Sequence, residues 1–132
     1  MKVFLDTNVW LSATVFAGLC EAILTECHKR GWLLTTPLVQ AEAHDVLKRK
    51  FPHLPQSQAL FDAIWLEATC VQDLDEPADD NDVRLVKAAS QAGAAVFVTG
   101  DRRVLTWARE GEMQILSPRE AWVQLFASSA RS

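Results

Sequence analysis

No apolar run in the 132 residues approaches the roughly 20 needed to span a bilayer, so no membrane helix is expected. The opening Met1-Lys2-Val3-Phe4-Leu5-Asp6 reaches a carboxylate too soon to form the apolar centre of a signal peptide. An excess of basic charge is missing too. Thirteen basic against seventeen acidic residues give a net charge of −4, which excludes a coat that holds nucleic acid by charge alone. Cysteine is sparse. Cys20, Cys27 and Cys70 are odd in number and unclustered, predicting free thiols in a reducing, cytoplasmic setting. There is no GxxxxGK[ST], GxGxxG, HExxH or CxxC, so nucleotide-triphosphate and zinc chemistry lack support. Repeats and low-complexity tracts are absent. What is present is ordinary globular composition, 49% hydrophobic and 23% charged, which excludes intrinsic disorder. One domain is expected over residues 1–127, with 128–132 a frayed tail.

Short apolar runs alternate with amphipathic stretches. Val3-Phe4-Leu5 predicts a buried strand, followed by helices over Val9–Phe16 and Leu19–Arg30, the latter closed by Gly31. Trp32–Thr35 predicts a second strand. Thr36-Pro37 predicts a helix start, with a capping hydroxyl and proline at the first helical position. That helix runs to Lys50, before Pro52, and another covers Gln56–Ala68. Cys70-Val71 predicts an edge strand. After the acidic loop 73–82 a helix runs to Ala92, and Ala94–Thr99 is the clearest strand. A helix over Arg103–Arg109, a strand at Gln114–Leu116 and a last helix opened by the capping box of Ser117 and Glu120 complete the chain. The alternation predicts an α/β fold, a three-layer α/β/α domain around a mostly parallel sheet of four or five strands.

In such sheets, sites form beyond the carboxyl ends of the strands. Asp6 follows the first strand and Asp101 closely follows Ala94–Thr99. Each alone is as well explained as a helix cap or turn residue. Together, on two neighbouring strands, they predict a site. Helical projection adds two more. Measured from Leu38, Glu42 lies at about 40°, within the apolar arc of Val46, Val39, Ala43 and Leu47. An unpaired carboxylate facing a core is costly, so a basic partner or a cation is expected there. Measured from Val83, Asp82 projects to about 260°, inside the apolar arc, Asp80 to about 60° on the polar side, and Asp79 to about 320° at its edge. Helix capping is the plainer reading of Asp79 and Asp80. His44 and Asp45 fall toward solvent. Four convergent carboxylates need cations to stay ionised, and hard divalent ions with oxygen ligands suit them. Cys20 and Cys27 share one helix face and predict core packing. Phe61, Ile64, Trp65 and Ala68 form a stripe suited to a core or a dimer face. An aspartate-based phosphotransfer domain around Asp6 would want a second acid where Asn8 stands. A non-catalytic binding module is the other alternative.

Val3-Phe4-Leu5-Asp6-Thr7-Asn8-Val9, Thr36-Pro37-Leu38-Val39 with Glu42, Asp79-Asp80-Asn81-Asp82 with Ala88-Ala89, and Val98-Thr99-Gly100-Asp101 together resemble the four acidic segments of PIN-domain ribonucleases. They stand in the right order over nearly the whole chain. The ending Leu116-Ser117-Pro118-Arg119-Glu120 is similar to that of a PIN subgroup regarded as toxins of toxin–antitoxin pairs. The resemblance implies a three-layer fold, Mg²⁺ or Mn²⁺ as cofactor, and endonucleolytic cleavage of RNA. It carries Asp6, Glu42, Asp82 and Asp101 over as catalytic metal ligands, with Asn8 and Thr99 as supporting residues. Asp79 is the other candidate for the third acid. Homodimerisation and a cognate antitoxin are implied by the toxin subgroup alone. Arg102 and Lys48-Arg49-Lys50 are candidate contacts to the RNA backbone.

Overall fold

The structure is a computed structural model that describes residues 1–127; the expected frayed tail, 128–132, lies outside the described residues. Strand β1 (Val3–Leu5) leads into α1 (Thr7–Val15) and α2 (Leu19–Lys29). Then come β2 (Leu33–Thr35), α3 (Pro37–Lys50), α4 (Pro55–Glu67) and β3 (Thr69–Cys70). After the acidic loop follow α5 (Asn81–Gln91), β4 (Val96–Val98) and α6 (Arg102–Leu105). The chain closes with β5 (Arg109–Glu110), β6 (Met113–Leu116), α7 (Pro118–Trp122) and a π-helical turn over Val123–Ala127.

The sheet order is β3-β2-β1-β4-β6-β5, parallel except for the β5–β6 pair. Every residue of β1, β2 and β4 is buried. Strands buried on both faces require cover on both sides, which makes this the expected layered α/β fold. The core is continuous across it. Phe4 and Phe97, partners in register on β1 and β4, stack at 5.3 Å. Trp10 on α1 meets Phe61 on α4 edge-on at 5.2 Å. Ile64, Trp65 and Ala68 pack against the same core, so the α4 stripe faces inward. Cys27 is buried, and burial pushes its thiol up to about 12. Cys20 packs beside the core as well. No single described helix is long and apolar enough to cross a membrane.

The sheet has six strands rather than four or five. The additional one, Arg109–Glu110, is two charged residues with no apolar pattern to announce it. It forms because α6 ends at Leu105, four residues earlier than the sequence pattern suggests, and Ala108 then adopts φ +61°. Gly111, at φ +59° in the two-residue turn before Met113, lets the hairpin close. Thr36 stands at the N-cap of α3, as its sequence predicts, but its hydroxyl makes no capping bond. Pro37 has no amide hydrogen to offer, and the Leu38 amide is instead taken by Asp73 Oδ2 at 2.8 Å. The capping box of Ser117 and Glu120 is formed as expected.

Candidate active site

Strand β1 pairs with β2 on one side and β4 on the other, and the chain changes direction across the sheet between them. This switch point is where open parallel sheets build their sites. Leu5 and Val98 are partners in register, so Asp6 and Thr99 emerge side by side, and the Asp6 amide donates to the Val98 carbonyl at 2.9 Å. Asp6 is 4% exposed. Its Oδ1 accepts the Thr7 amide at 2.8 Å, capping α1. Its Oδ2 accepts the Thr99 hydroxyl at 2.7 Å and the Asn8 amide group at 3.1 Å. Asn8 is held in turn by the Gly100 amide, which donates to its Oδ1 at 2.9 Å. The approach is close, since a Cβ on Gly100 would stand 3.4 Å from that oxygen.

Glu42 comes from α3 and is half-buried. The Thr7 hydroxyl donates to its Oε1 at 2.7 Å, and the Asn81 side chain to its Oε2 at 3.3 Å. Asn81 is steadied by Arg84, which donates to its Oδ1 at 3.0 Å and to the Leu74 carbonyl at 2.7 Å. Asp101 caps α6 by accepting the Arg103 amide at 2.8 Å. The Thr99 hydroxyl that serves Asp6 also accepts the Asp101 amide at 3.0 Å, tying the first and fourth acids together.

The three aspartates of the acidic loop separate. Asp79 is exposed. Asp80 caps α5, accepting the Val83 amide at 3.2 Å. It does not project freely into solvent, because Arg103 donates to it at 2.5 and 3.3 Å. This pair holds the Asp80 carboxyl below its usual range. Asp82 lies in the field of Asp101, Asp80 and Glu42, and accepts one bond from Arg103 at 3.2 Å. Burial first, and then Asp101, raise its pKa despite that cation. Asp6 is raised from 3.8 to about 6, by burial first and then by Asp82 and Glu42, against the hydrogen bonds from Thr99 and Thr7. Asp6, Glu42, Asp82 and Asp101 therefore share one electrostatic environment.

Each acid is nonetheless engaged by protein donors. Among the described residues no three Asp, Glu, His or Cys side chains are closed into a set that would hold an ion as they stand. The donor chemistry fits Mg²⁺ or Mn²⁺, being all carboxylate oxygen around the buried Asp6, which Asp82 and Glu42 repel. Sequence reasoning missed Thr7, Asn81 and Arg103, whose partners lie 21 to 39 residues away. It named Arg102 instead, which is exposed at the preceding position. Lys48, Arg49 and Lys50 form the last turn of α3, roughly 9 Å or more along the axis from Glu42. Arg49 pairs with Asp45 at 3.1 Å, so this basic run is not brought to the carboxylates.

A half-buried carboxylate cluster at the switch point of a parallel sheet defines an acidic-site α/β domain of nuclease type. Residues 2–103 match the PIN domain, and the chain belongs to the PIN domain family. PIN domains are generally nucleases that use divalent metal ions. The protein PAE2754 from Pyrobaculum aerophilum, known from its crystal structure, superposes with a TM-score of 0.67 at 17% identity, over 96% of this chain and 90% of that one. That likeness shows the shared fold. No curated protein matches the sequence.

Proposed function

We propose that this PIN domain is a Mg²⁺- or Mn²⁺-dependent endoribonuclease, acting as the toxin of a toxin–antitoxin pair. The observation that carries the nuclease reading is the shared field of Asp6, Glu42, Asp82 and Asp101 at the end of β1 and β4. These four would hold the ion. When bound, it polarises the phosphodiester and makes water a stronger nucleophile. Thr99 and Asn8 fix the rotation of the Asp6 carboxylate, and Thr7 and Asn81 fix that of Glu42. Supporting bonds of this kind decide where ligand oxygens point. The toxin role rests on the similarity of the Leu116–Glu120 segment to toxin sequences, and it brings with it an antitoxin partner and a homodimer acting in the cytoplasm.

One observation favours a second reading, a PIN-like scaffold without catalysis: Asp82 is already paired with Arg103. A single experiment separates the two. Purified protein is incubated with a fluorescent single-stranded RNA and Mn²⁺, beside Asp6→Asn and EDTA controls. Metal-dependent cleavage lost in Asp6→Asn supports the nuclease. RNA left intact at high enzyme concentration, with the fold verified, supports the scaffold. Co-expression with any small reading frame encoded immediately upstream tests the toxin role through recovery of growth.

A further inference from the structure

Arg103 is the one cation whose side chain is bonded into the acidic cleft among the described residues, and it is held there from four directions. Its backbone amide is bonded to Asp101 at 2.8 Å. Its guanidinium forks onto Asp80 at 2.5 and 3.3 Å and reaches Asp82 at 3.2 Å. Behind it lies the Trp107 ring, its centroid 5.0 Å from the guanidinium carbon. A planar fork stacked on an aromatic ring is a pre-organised arrangement that a lysine would not reproduce.

We propose that Arg103 is a positioning residue that acts through Asp82, a tethered counter-cation competing with the divalent ion for that carboxylate. The inference rests on the metal-centre reading above. Two features make the competition reversible. The Asp82 contact is a single bond, whereas Asp80 takes two, so Arg103 can release Asp82 and stay anchored. The guanidinium is also half-exposed, and exposed ion pairs are weak. A divalent ion carries twice the charge and displaces it. In the metal-free protein Arg103 neutralises Asp82; with the ion bound it rests on Asp80 and Trp107 at the rim. The metal affinity of the centre is thereby set lower than its four acids alone would give.

The test is Mn²⁺ binding by isothermal calorimetry at fixed ionic strength, with melting temperatures measured with and without Mn²⁺, for wild type, Arg103→Gln and Arg103→Lys. The expected result is that Arg103→Gln binds Mn²⁺ about 3- to 10-fold more tightly and gains a larger Mn²⁺-induced rise in melting temperature. Arg103→Lys keeps the charge but loses the fork, and should fall between the other two. Arg103→Gln binding as wild type or more weakly overturns the proposal. Arg103→Lys matching wild type while Arg103→Gln tightens also overturns it, because long-range charge then suffices. Should Arg103→Gln fail to fold, the Lys variant alone decides, tighter than wild type supporting the proposal and equal to it opposing. Saturable Mn²⁺ binding absent from all three proteins removes the metal centre itself, and this inference with it.

Discussion

Asp6 shows how burial and function pull against each other in one side chain. Its carboxyl sits at about 6 rather than 3.8, with burial the leading cause. The folded state therefore prefers the protonated form more than the unfolded chain does. The stability that this preference contributes is full below about pH 3.8 and is lost as the pH rises through about 6. Without divalent ions, Asp6→Asn should gain stability relative to wild type between pH 4 and 7.5, by at most about 3 kcal/mol, while RNA cleavage disappears. Denaturant titrations at both pH values check this, and a difference that does not change with pH would sink it. Thr7 has a different burden. Thr7→Val keeps the shape but removes the 2.7 Å bond to Glu42, so Mn²⁺ affinity should fall on the order of 10-fold with melting temperature nearly unchanged. In the acidic loop, Asp82→Asn should lose nearly all cleavage. Asp80→Asn should keep cleavage, since asparagine caps a helix as well as aspartate does. Asp79→Asn, altering an exposed side chain, should behave as wild type. A dead Asp80→Asn beside an active Asp82→Asn would reverse the assignment of the third acid.

Helix α3 delivers Glu42, and its start is built from two distant parts of the chain. Thr36 lies at the N-cap fully buried, with its hydroxyl unpartnered, while the capping carboxylate comes from Asp73, which accepts the amide of Leu38 from 35 residues further along the chain. A buried hydroxyl without a partner costs stability, and a removed cap costs about 1 kcal/mol. Asp73→Ala should therefore lower stability by about 1 kcal/mol, and Thr36→Val should lose none. Thermal melts of the pair decide the matter, and equal losses would show that Thr36 shares the cap. The acidic loop thus does two things for the site. It anchors the helix that carries Glu42, through Asp73, and it ends in the helix that carries Asp82. The short α6 is bound to the same end of the sheet by Asp101 at its N-cap and by Arg103 reaching back to Asp80.

Across the whole molecule, Asp6, Glu42, Asp82 and Asp101 come from four elements and feel one another's charge where the sheet changes direction. Repulsion among them opposes folding, and a bound cation favours the folded state through linkage. Millimolar Mn²⁺ should raise the melting temperature of wild type, and Glu42→Gln and Asp82→Asn should each shrink that rise. An unchanged increment in the Glu42→Gln, Asp82→Asn double variant would mean that the ion binds elsewhere.

The sequence by itself determined the layered α/β class, most helix and strand positions, and Asp6 and Asp101 as residues at strand ends. These follow from local rules: buried strands read as apolar runs, and sites of open sheets lie just past them. Helical periodicity, a short-range property, also put Glu42 on a half-buried face, whereas it did not separate Asp82 from Asp80, since both are partly exposed and both are bonded to Arg103. Tertiary structure alone decided the partners. Thr7 meets Glu42 across 35 residues, Asn81 meets it across 39, and Arg103 reaches Asp82 across 21. No period or motif links such positions; only the order of strands in the sheet brings them together. The same holds for β5, whose Arg109-Glu110 has no strand pattern and pairs only because β6 and the Gly111 turn stand beside it. Local pattern fixes which face a side chain takes, whereas the choice among possible partners belongs to long-range packing.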